Sequence, residues 1–234
     1  APRSHGPRVL AVIKRTSFRK FVVDQNDPLL RKLLARNDPT VRKVRRSHDD
    51  HEATVREVKD ALAEVGARVD MVEDIRGSIG KSYDMVITVG GDGTLLNASH
   101  KVGPGVPLLG VNSAPESSVG FFCGARKGTV RRTLRQALAG KLRSCELTRM
   151  RVELNGKLLS ARVLNDALIC HASPAATSRY ILRIERDGRA DEEDQRSSGM
   201  WIGPAAGSTA AQRSAGGRVL SLTSKRIQWV VREP

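Results

Sequence analysis

The feature that most constrains this chain is a short apolar run that ends in glycines around one aspartate. Met85–Val89 is apolar and β-branched, which predicts a buried strand, and Gly90–Thr94 follows it directly. Glycines let a ligand approach the backbone closely, and the first turn of a helix offers free N–H groups to an anion. The pattern therefore predicts a strand, a phosphate-binding turn and then a helix.

Asp92 is the unusual residue of this turn. Its carboxylate would repel a phosphate chain, so its presence indicates a metal ion or a hydroxyl that must lose its proton. The turn favours phosphoryl transfer over passive phosphate binding, and a simple tight strand-to-helix turn is the alternative interpretation. The chain has no Gly-x-x-x-x-Gly-Lys-Ser/Thr motif, which excludes a P-loop enzyme, and no Gly-x-Gly-x-x-Gly after its first strand.

Composition restricts the partners. The 234 residues fit one large or two small domains, and a net charge of +15 favours polyanions such as nucleotides, polyphosphate, nucleic acid or acidic membranes. Only 3% of residues are aromatic, which argues against stacking of single-stranded bases, and no apolar run is long enough to span a membrane. The first residues do not read as a signal peptide, and the three cysteines are odd in number. We therefore expect a cytoplasmic protein whose cysteines are reduced, buried and structural.

Two basic clusters and one histidine cluster need interpretation. The basic clusters, at 42–46 and 126–135, are each typical of a solvated helix face. The run His48–His51 pairs two histidines with two carboxylates near a predicted helix start. We expect this run to cap the helix rather than to bind a metal, and we predict no metal site made by protein side chains.

The first part of the chain alternates predicted strands with predicted helices. The strands are expected at 9–13, 67–72, 85–89 and 107–111, and the helices at 55–65, from 94 to about 102, and at 130–138. Such alternation predicts a Rossmann-like parallel sheet covered on both faces, with ligands at the carboxyl ends of its strands. We expect this α/β domain to span residues 1–143, with the turn at Gly90–Thr94 at its ligand-binding edge.

From residue 144 onward the pattern is mainly β, and we expect a second domain over 144–234. Its strand and turn signals are Leu147–Leu154, Asn155-Gly156, Leu158–Ile169 and Asp187-Gly188. The acidic run Asp191–Asp194 is expected to be a solvated loop.

Two further motifs lie in this second part. Asn165-Asp166 interrupts an otherwise apolar predicted strand, and adjacent polar residues in a buried run are costly unless they are paired. A carboxylate there would suit the two hydroxyls of a ribose, and the alternative is a β-bulge or a turn. The small residues of Gly203–Ala211 permit close approach of a ligand, or else form a loop that leads into a packed helix.

Taken in order, these motifs make the chain resemble the NAD kinase family, from about Val9 to the C-terminus. The anchors are Gly90–Thr94, Leu109–Asn112, Gly120–Phe122, Asn165-Asp166, Gly207–Ala210 and Ser214–Gly217. Each anchor is short, but their order and spacing together are specific.

The resemblance implies a fold and a reaction. The fold would be an α/β domain joined to a mainly-β sandwich domain, as in NAD kinases and diacylglycerol kinases, with the nucleotide in the cleft between them. The reaction would move the terminal phosphoryl group of ATP, or of polyphosphate, to the adenosine 2′-hydroxyl of NAD or NADH, with Mg²⁺ accompanying the phosphates. The family also implies a homodimer or homotetramer and strands beyond Pro234 that complete the β domain. Because the sequence has no apolar span and no nucleic-acid-binding motif, we expect no membrane partner and no specific nucleic-acid partner.

The same resemblance assigns roles to residues of this chain. Asp92 would be the general base, or would orient the attacking hydroxyl. Phosphate contacts would come from Gly90, Gly91, Gly93 and Thr94. NAD(H) contacts would come from Asp92, Gly93, Phe121, Phe122, Asn165, Asp166, Ala206, Thr209 and Ala210.

The chain departs from the common family pattern in ways that resemble the plant-type NADH kinase subgroup. Ser198-Gly199 replaces the usual Asp-Gly, Pro204–Gly207 replaces Thr-Pro-Thr/Ser-Gly, and Ala211 replaces a tyrosine. The ending Gln228–Pro234 is also similar to that subgroup. A neutral dihydronicotinamide needs no carboxylate beside it, so the loss of the aspartate at Ser198 is compatible with a preference for NADH.

Three rival functions remain. A lipid kinase of the diacylglycerol or sphingosine type shares the glycine turn, but Asn165-Asp166 and Gly207–Ala210 argue against it. A phosphofructokinase-like enzyme conflicts with the β-rich second part. A non-enzymatic binder of polyanions or nucleic acid would explain the charge, but the chain shows no helix-turn-helix, aromatic RNA-binding signature or zinc spacing. Such a binder would lose affinity steeply with salt and would show no turnover.

Overall fold

The computed structural model describes residues 6–173 and 175–233. Its chain divides into two compact units, Ala1–Arg143 and Ser144–Pro234. Strands of the first unit are β1 (Arg8–Ile13), β2 (Arg68–Val72), β3 (Met85–Gly90), β4 (Leu108–Asn112) and β5 (Cys123–Arg126). Its helical elements are a π-helical segment (Phe18–Asp24), α1 (Pro28–Ala35), α2 (Pro39–Glu64), α3 (Asp92–Ser99) and α4 (Val130–Leu138).

The five strands of the first unit form one sheet in which all neighbours are parallel, in the order β2-β1-β3-β4-β5. From β1 the chain goes to β2 on one side and then to β3 on the other, so the strand order reverses between β1 and β3. In open parallel sheets, ligands bind outside the carboxyl ends of the strands at such a reversal. The predicted Rossmann-like parallel sheet is confirmed.

Helices cover both faces of this sheet. On one face, Val58 and Leu62 of α2 and Leu134 of α4 form a buried cluster with the sheet. On the other face, Ala98 of α3 packs in a second cluster that includes Val86. Every residue of β3 is buried, because the strand is central and covered on both sides. Each large side chain buried in this way contributes on the order of 2 kcal/mol, so β3 is a rigid support for the turn that follows it.

Helix α2 begins well before the predicted position near Val55. Asp38 caps it by accepting a hydrogen bond from the Thr40 N–H at 2.9 Å, and Pro39 occupies the first turn. The run His48–His51 therefore lies in the middle of a helix, and its interpretation as a cap near a helix start is wrong. The polar stretch before Val55 hides the helical period, which is why the first half of α2 escaped prediction.

Three elements of the first unit were not predicted. They are the π-helical segment, α1 and β5. None of the residues of α1 is buried, and β5 has only four residues, so neither element carries a strong apolar pattern.

The second unit is mainly β, as predicted. Its elements are β6 (Met150–Leu154), β7 (Lys157–Val163), β8 (Ala167–Ile169), β9 (Ser178–Arg186), β10 (Arg189–Ser197), β11 (Met200–Pro204), a 3₁₀ turn (Ala205–Thr209), α5 (Ala211–Ser214) and β12 (Ile227–Val231). These strands form the hairpins β6–β7 and β9–β10 and the antiparallel sheet β12-β11-β8.

Both predicted hairpin turns are confirmed. Asn155 and Gly156 have φ values of 51° and 74°, and Asp187 and Gly188 have 53° and 75°. Two successive positive φ values match the twist of the flanking strands, which is why Asn-Gly and Asp-Gly occupy such turns.

Three predictions about the second unit and the cysteines are wrong. The acidic run Asp191–Asp194 is not a loop but part of β10, where it pairs with β9 and where Arg183 lies 3.6 Å from Glu192. The predicted strand Leu158–Ile169 is interrupted, since β7 ends at Val163 and β8 begins at Ala167. Of the cysteines expected to be buried, Cys145 and Cys170 are exposed. Among the described residues, no helix combines the length and the apolar character that a membrane span requires.

Candidate functional site

A cavity of about 490 Å³ opens in the first unit at the carboxyl ends of β1 and β3. This is the point where the strand order reverses, and the predicted phosphate turn Gly90–Thr94 forms one wall. The other walls come from Lys14–Thr16 after β1, from Ser47 and His51 on α2, and from Asn112–Ala114 at the end of β4. Sequence reasoning missed Lys14–Thr16, although their position directly after the first strand of a parallel sheet is a usable signal.

The glycines of the turn are needed for different reasons. A Cβ on Gly90 would lie 2.2 Å from Thr94 Oγ1 and 2.8 Å from Thr94 Cβ, and a Cβ on Gly91 would lie 2.3 Å from Ser118 Oγ. At Gly93 nothing lies within 4 Å of the same position. Gly90 and Gly91 therefore allow close packing of the turn, whereas Gly93 leaves space at the start of α3 for a ligand.

Asp92 joins the phosphate turn to the residues that follow β4. The Phe121 N–H donates to Asp92 Oδ2 and the Phe122 N–H donates to Asp92 Oδ1, each at 2.8 Å. These bonds fix the orientation of the carboxylate, and a carboxylate accepts about four hydrogen bonds, so it keeps acceptor capacity for a substrate hydroxyl. The two phenyl rings meet edge to face at 5.0 Å. Thus the structure brings the predicted residues Asp92, Phe121 and Phe122 together.

The segment 113–122, which we call the β4–β5 loop, lines the cavity through Ser113, Ala114, Ser117 and Ser118. Asn112 Nδ2 donates to the Ser118 carbonyl at 2.9 Å, and Arg46 on α2 pairs with Glu116 at 2.6 Å. Gly120 has a φ of +65°, and a Cβ there would lie 2.3 Å from Asn112 Nδ2. The loop is therefore held at several points along its length, from α2 and from the end of β4.

His51 is a buried titratable residue on the cavity wall. It is 2% exposed, and its Nδ1 lies 2.8 Å from Ser113 Oγ. Burial lowers the pKa of His51 to about 4, with Glu52 opposing the shift and Lys14 adding to it. The imidazole is therefore neutral at neutral pH and holds Ser113 without adding charge. Within residues 6–173 and 175–233, no group of three or more His, Cys, Asp or Glu side chains is arranged to hold a metal ion.

In the second unit, Asn165-Asp166 forms a bend between β7 and β8 rather than part of a continuous strand. A Cβ on Gly207 would lie 1.9 Å from the Asn165 carbonyl oxygen, and a Cβ on Gly203 would lie 2.2 Å from it. The bend thus packs directly on the small-residue turn, and only glycine fits at these two contacts. The prediction of a continuous strand is wrong here because two polar side chains break the apolar run. The alternative prediction of a turn at Asn165-Asp166 agrees with the structure.

The bend carries polar atoms without partners. Asn165 Oδ1 and Asp166 Oδ2 are buried and accept no hydrogen bond from any described residue. Burial raises the pKa of Asp166, and a hydrogen bond from the Ala211 backbone opposes the shift. A buried acceptor without a partner costs about 1–3 kcal/mol, so these oxygens are suited to a ligand that donates hydrogen bonds.

The predicted residues of the small-residue turn lie next to this bend. Ala206 is 2% exposed, and the Thr209 hydroxyl donates to its carbonyl at 3.5 Å. Ala210 is the N-cap residue of α5. Sequence reasoning missed Gln212, which is fully buried and accepts a hydrogen bond from Gln228 at 3.0 Å. A lone polar residue at the end of a small-residue run was its only signal.

The profile of the ATP-NAD kinase N-terminal domain matches residues 16–142, more than half of the chain. The "Probable NADH kinase" of Oryza sativa subsp. japonica is 39% identical over 166 residues, which cover 63% of this chain and 51% of the relative. The NADH kinase of Arabidopsis thaliana is 41% identical over 166 residues, with 63% and 52% covered. The chain therefore spans about half the length of these relatives.

Two solved structures show the same fold. An NAD kinase from Archaeoglobus fulgidus in complex with ATP superposes with a TM-score of 0.65 at 20% identity, covering 97% of this chain and 72% of the other. A yeast NADH kinase complexed with NADH gives 0.64 at 16% identity, covering 99% and 67%. The predicted combination of an α/β unit and a mainly-β unit is confirmed by both.

Proposed function

Because the chain belongs to the ATP-NAD kinase family, we propose that it transfers the terminal phosphoryl group of ATP to the adenosine 2′-hydroxyl of NADH or NAD. The observation that carries this proposal is the placement of Asp92. Asp92 is the first residue of α3 and lies at the point where the strand order reverses. Two backbone N–H groups orient its carboxylate, which borders the cavity beside the glycine-rich phosphate turn.

The proposed chemistry follows from this placement. The 2′-oxygen of the acceptor forms a bond to the γ-phosphorus of ATP, while Asp92 accepts the proton of that hydroxyl. The bond between the γ-phosphorus and the bridging oxygen breaks, and its electron pair leaves with ADP. Catalysis of such a transfer depends on positioning and on charge neutralisation, which a rigid turn at the end of a buried strand can supply.

Each unit carries its own candidate contacts in this proposal. Gly90, Gly91, Gly93 and Thr94 line the donor phosphates through their backbone. The unpartnered oxygens of Asn165 and Asp166 accept hydrogen bonds from the ribose hydroxyls of the acceptor. Phe121 and Phe122 pack near the adenine, and the turn with Ala206, Thr209 and Ala210 lies against the nucleotide.

Magnesium fits the oxygen donors of the cavity. Asp92, Glu73 and the Asn97 side chain line it, and Mg²⁺ is commonly held by one or two carboxylates together with substrate phosphates. When bound, the ion would neutralise charge on the phosphates. Glu73 would hold and orient the ion together with the substrate phosphates, which leaves Asp92 to accept the proton of the hydroxyl.

A preference for NADH is supported by three observations. The rice and Arabidopsis relatives are named NADH kinases, and no carboxylate stands at Ser198. In addition, Arg232 Nη1 lies 3.4 Å from the Ser198 carbonyl oxygen. If the nicotinamide lies at this turn, a guanidinium there disfavours the positively charged oxidised ring relative to the neutral reduced ring. Use of polyphosphate as donor, assembly as a homodimer or homotetramer and a cytoplasmic location remain part of the proposal.

A coupled assay tests the proposal directly. The wild-type chain, Asp92→Asn and the control Asp60→Asn, an exposed position on α2, are incubated with Mg²⁺ and ATP and with NADH or NAD. We expect 2′-phosphorylated product from the wild type and the control, and a loss of about 10²-fold or more in kcat for Asp92→Asn. Absence of product with both dinucleotides, from folded protein, would contradict the proposal and would direct the same assay to diacylglycerol and sphingosine.

A further inference from the structure

Phosphoryl transfer needs positive charge close to the transferring group, and the phosphate cavity of the first unit offers two basic side chains. They are Lys14 and Arg15, which follow β1 directly. Arg15 is already neutralised, because its Nη2 and Nε lie 2.6 and 2.9 Å from Asp24 Oδ2. The Arg15 guanidinium therefore pairs with Asp24 of the π-helical segment rather than facing a ligand in the cavity unpaired.

Lys14 has a different environment. Its N–H donates to the Val89 carbonyl at 2.9 Å, which ties the residue to β3 at the reversal of strand order. Its Cβ lies only 3.1 Å from the position that a Cβ on Gly90 would take, so the side chain starts at the phosphate turn. In the part of the chain that the structure describes, Lys14 forms no ion pair with Glu73 or Asp92, the two carboxylates that line the same cavity.

Among the described lining residues, the wall formed by α2 and the β4–β5 loop carries no charged side chain. His51 is within the electrostatic field of the Lys14 ammonium, and burial keeps this imidazole in its neutral form. The remaining wall residues from the β4–β5 loop are the small side chains Ser113, Ala114, Ser117 and Ser118. Of the two cations that line the cavity, Arg15 is paired with Asp24, whereas no described carboxylate forms an ion pair with Lys14.

We propose that Lys14 is the residue that binds the donor phosphates at the Gly90–Thr94 turn and neutralises the charge on the transferring phosphoryl group. The inference rests on the proposed phosphotransferase function for its catalytic part. Its binding part, recognition of a phosphate chain by Lys14, is independent of the acceptor. A lysine serves as a compact point charge with three donors, which suits non-bridging phosphate oxygens.

The test compares Lys14→Met, Lys14→Arg and the control Lys20→Met in the full chain. Lys20 is exposed and lies over the Phe21 ring, outside the cavity, so its replacement removes the same charge without touching the turn. Turnover is measured with ATP, Mg²⁺ and NADH, and binding of inorganic tripolyphosphate is measured by calorimetry. Thermal melts establish that each variant is folded.

For Lys14→Met we expect kcat to fall by about 10²-fold, as when one preorganised donor to the transition state is removed. We expect the Kd for tripolyphosphate to rise by about tenfold, the range of a lost charge-assisted hydrogen bond. Lys14→Arg should recover part of both values, and Lys20→Met should match the wild type. A folded Lys14→Met that matches the wild type in both measurements overturns the inference, and weaker binding with unchanged kcat overturns its catalytic part.

Failure of the proposed function has a separate signature. If the wild type forms no product, the acceptor assignment fails and tripolyphosphate binding decides the inference alone. A tenfold weaker Kd in Lys14→Met then keeps Lys14 as a phosphate ligand, and an unchanged Kd removes it.

Discussion

Adding one methyl group to the phosphate turn should lower the stability of the fold at Gly90 and raise it slightly at Gly93. In Gly90→Ala the new Cβ would stand 2.8 Å from Thr94 Cβ, an atom whose position the backbone of α3 determines, and 3.1 Å from Lys14 Cβ. Rotation of a side chain cannot relieve the first contact, so the turn itself must shift. Overpacking of this kind costs about 1–3 kcal/mol.

Gly93→Ala has no such contact, since nothing lies within 4 Å of the added atom. Gly93 lies within α3, where alanine is favoured over glycine by about 0.5–1 kcal/mol. We therefore expect Gly93→Ala to be slightly more stable than the wild type. Its activity should nevertheless fall, because the methyl group occupies the open space that we assign to the phosphates.

Urea unfolding followed by circular dichroism measures both variants, with thermal melts as a second reading. A change of 1 kcal/mol corresponds to about 2–4 °C in Tm for a chain of this size. Gly90→Ala should therefore melt several degrees below the wild type and Gly93→Ala slightly above it. Wild-type stability of Gly90→Ala, or marked destabilisation by Gly93→Ala, would refute the close-packing argument for this turn.

Two further predictions concern His51 and Ser198. The folded-state pKa of His51, about 4, lies below its unfolded value of about 6.5, so its neutral form stabilises the fold above pH 6.5. That contribution to the free energy of unfolding, up to about 3 kcal/mol, is lost as the pH falls from 6.5 towards 4. In denaturant titrations, His51→Gln should flatten this part of the pH–stability curve. A curve unchanged from that of the wild type would contradict the argument that burial lowers the pKa of His51. Ser198→Asp places a carboxylate beside Arg232 and should shift the ratio of kcat/KM for NADH over NAD towards NAD. The expected shift is up to about fivefold, which corresponds to the interaction free energy of a surface charge pair. An unchanged ratio in steady-state assays would show that this turn does not determine the preference for NADH.

The family resemblance, drawn from six short motifs, is confirmed by the profile match over residues 16–142. The parallel sheet was predictable because buried strands and amphipathic helices alternate along the first part of the chain. The first half of α2 was not predictable, because a run of polar residues hides the helical period of its apolar residues. The roles of Asp92, Asn165, Asp166 and the other assigned residues stay predictions that the proposed assays test.

Local patterns determined where the phosphate turn, the hairpin turns and the central strands lie, since each depends on residues that are neighbours in sequence. The tertiary structure alone decided which distant residues share the cavity with that turn. Lys14, His51 and Asp92 line the same cavity because β1 and β3 are adjacent in the sheet and α2 packs against it. The same holds for the contact between the Asn165 carbonyl and Gly207, which depends on chain segments more than forty residues apart. Such contacts depend on strand order and packing, and no local pattern of residue types encodes them.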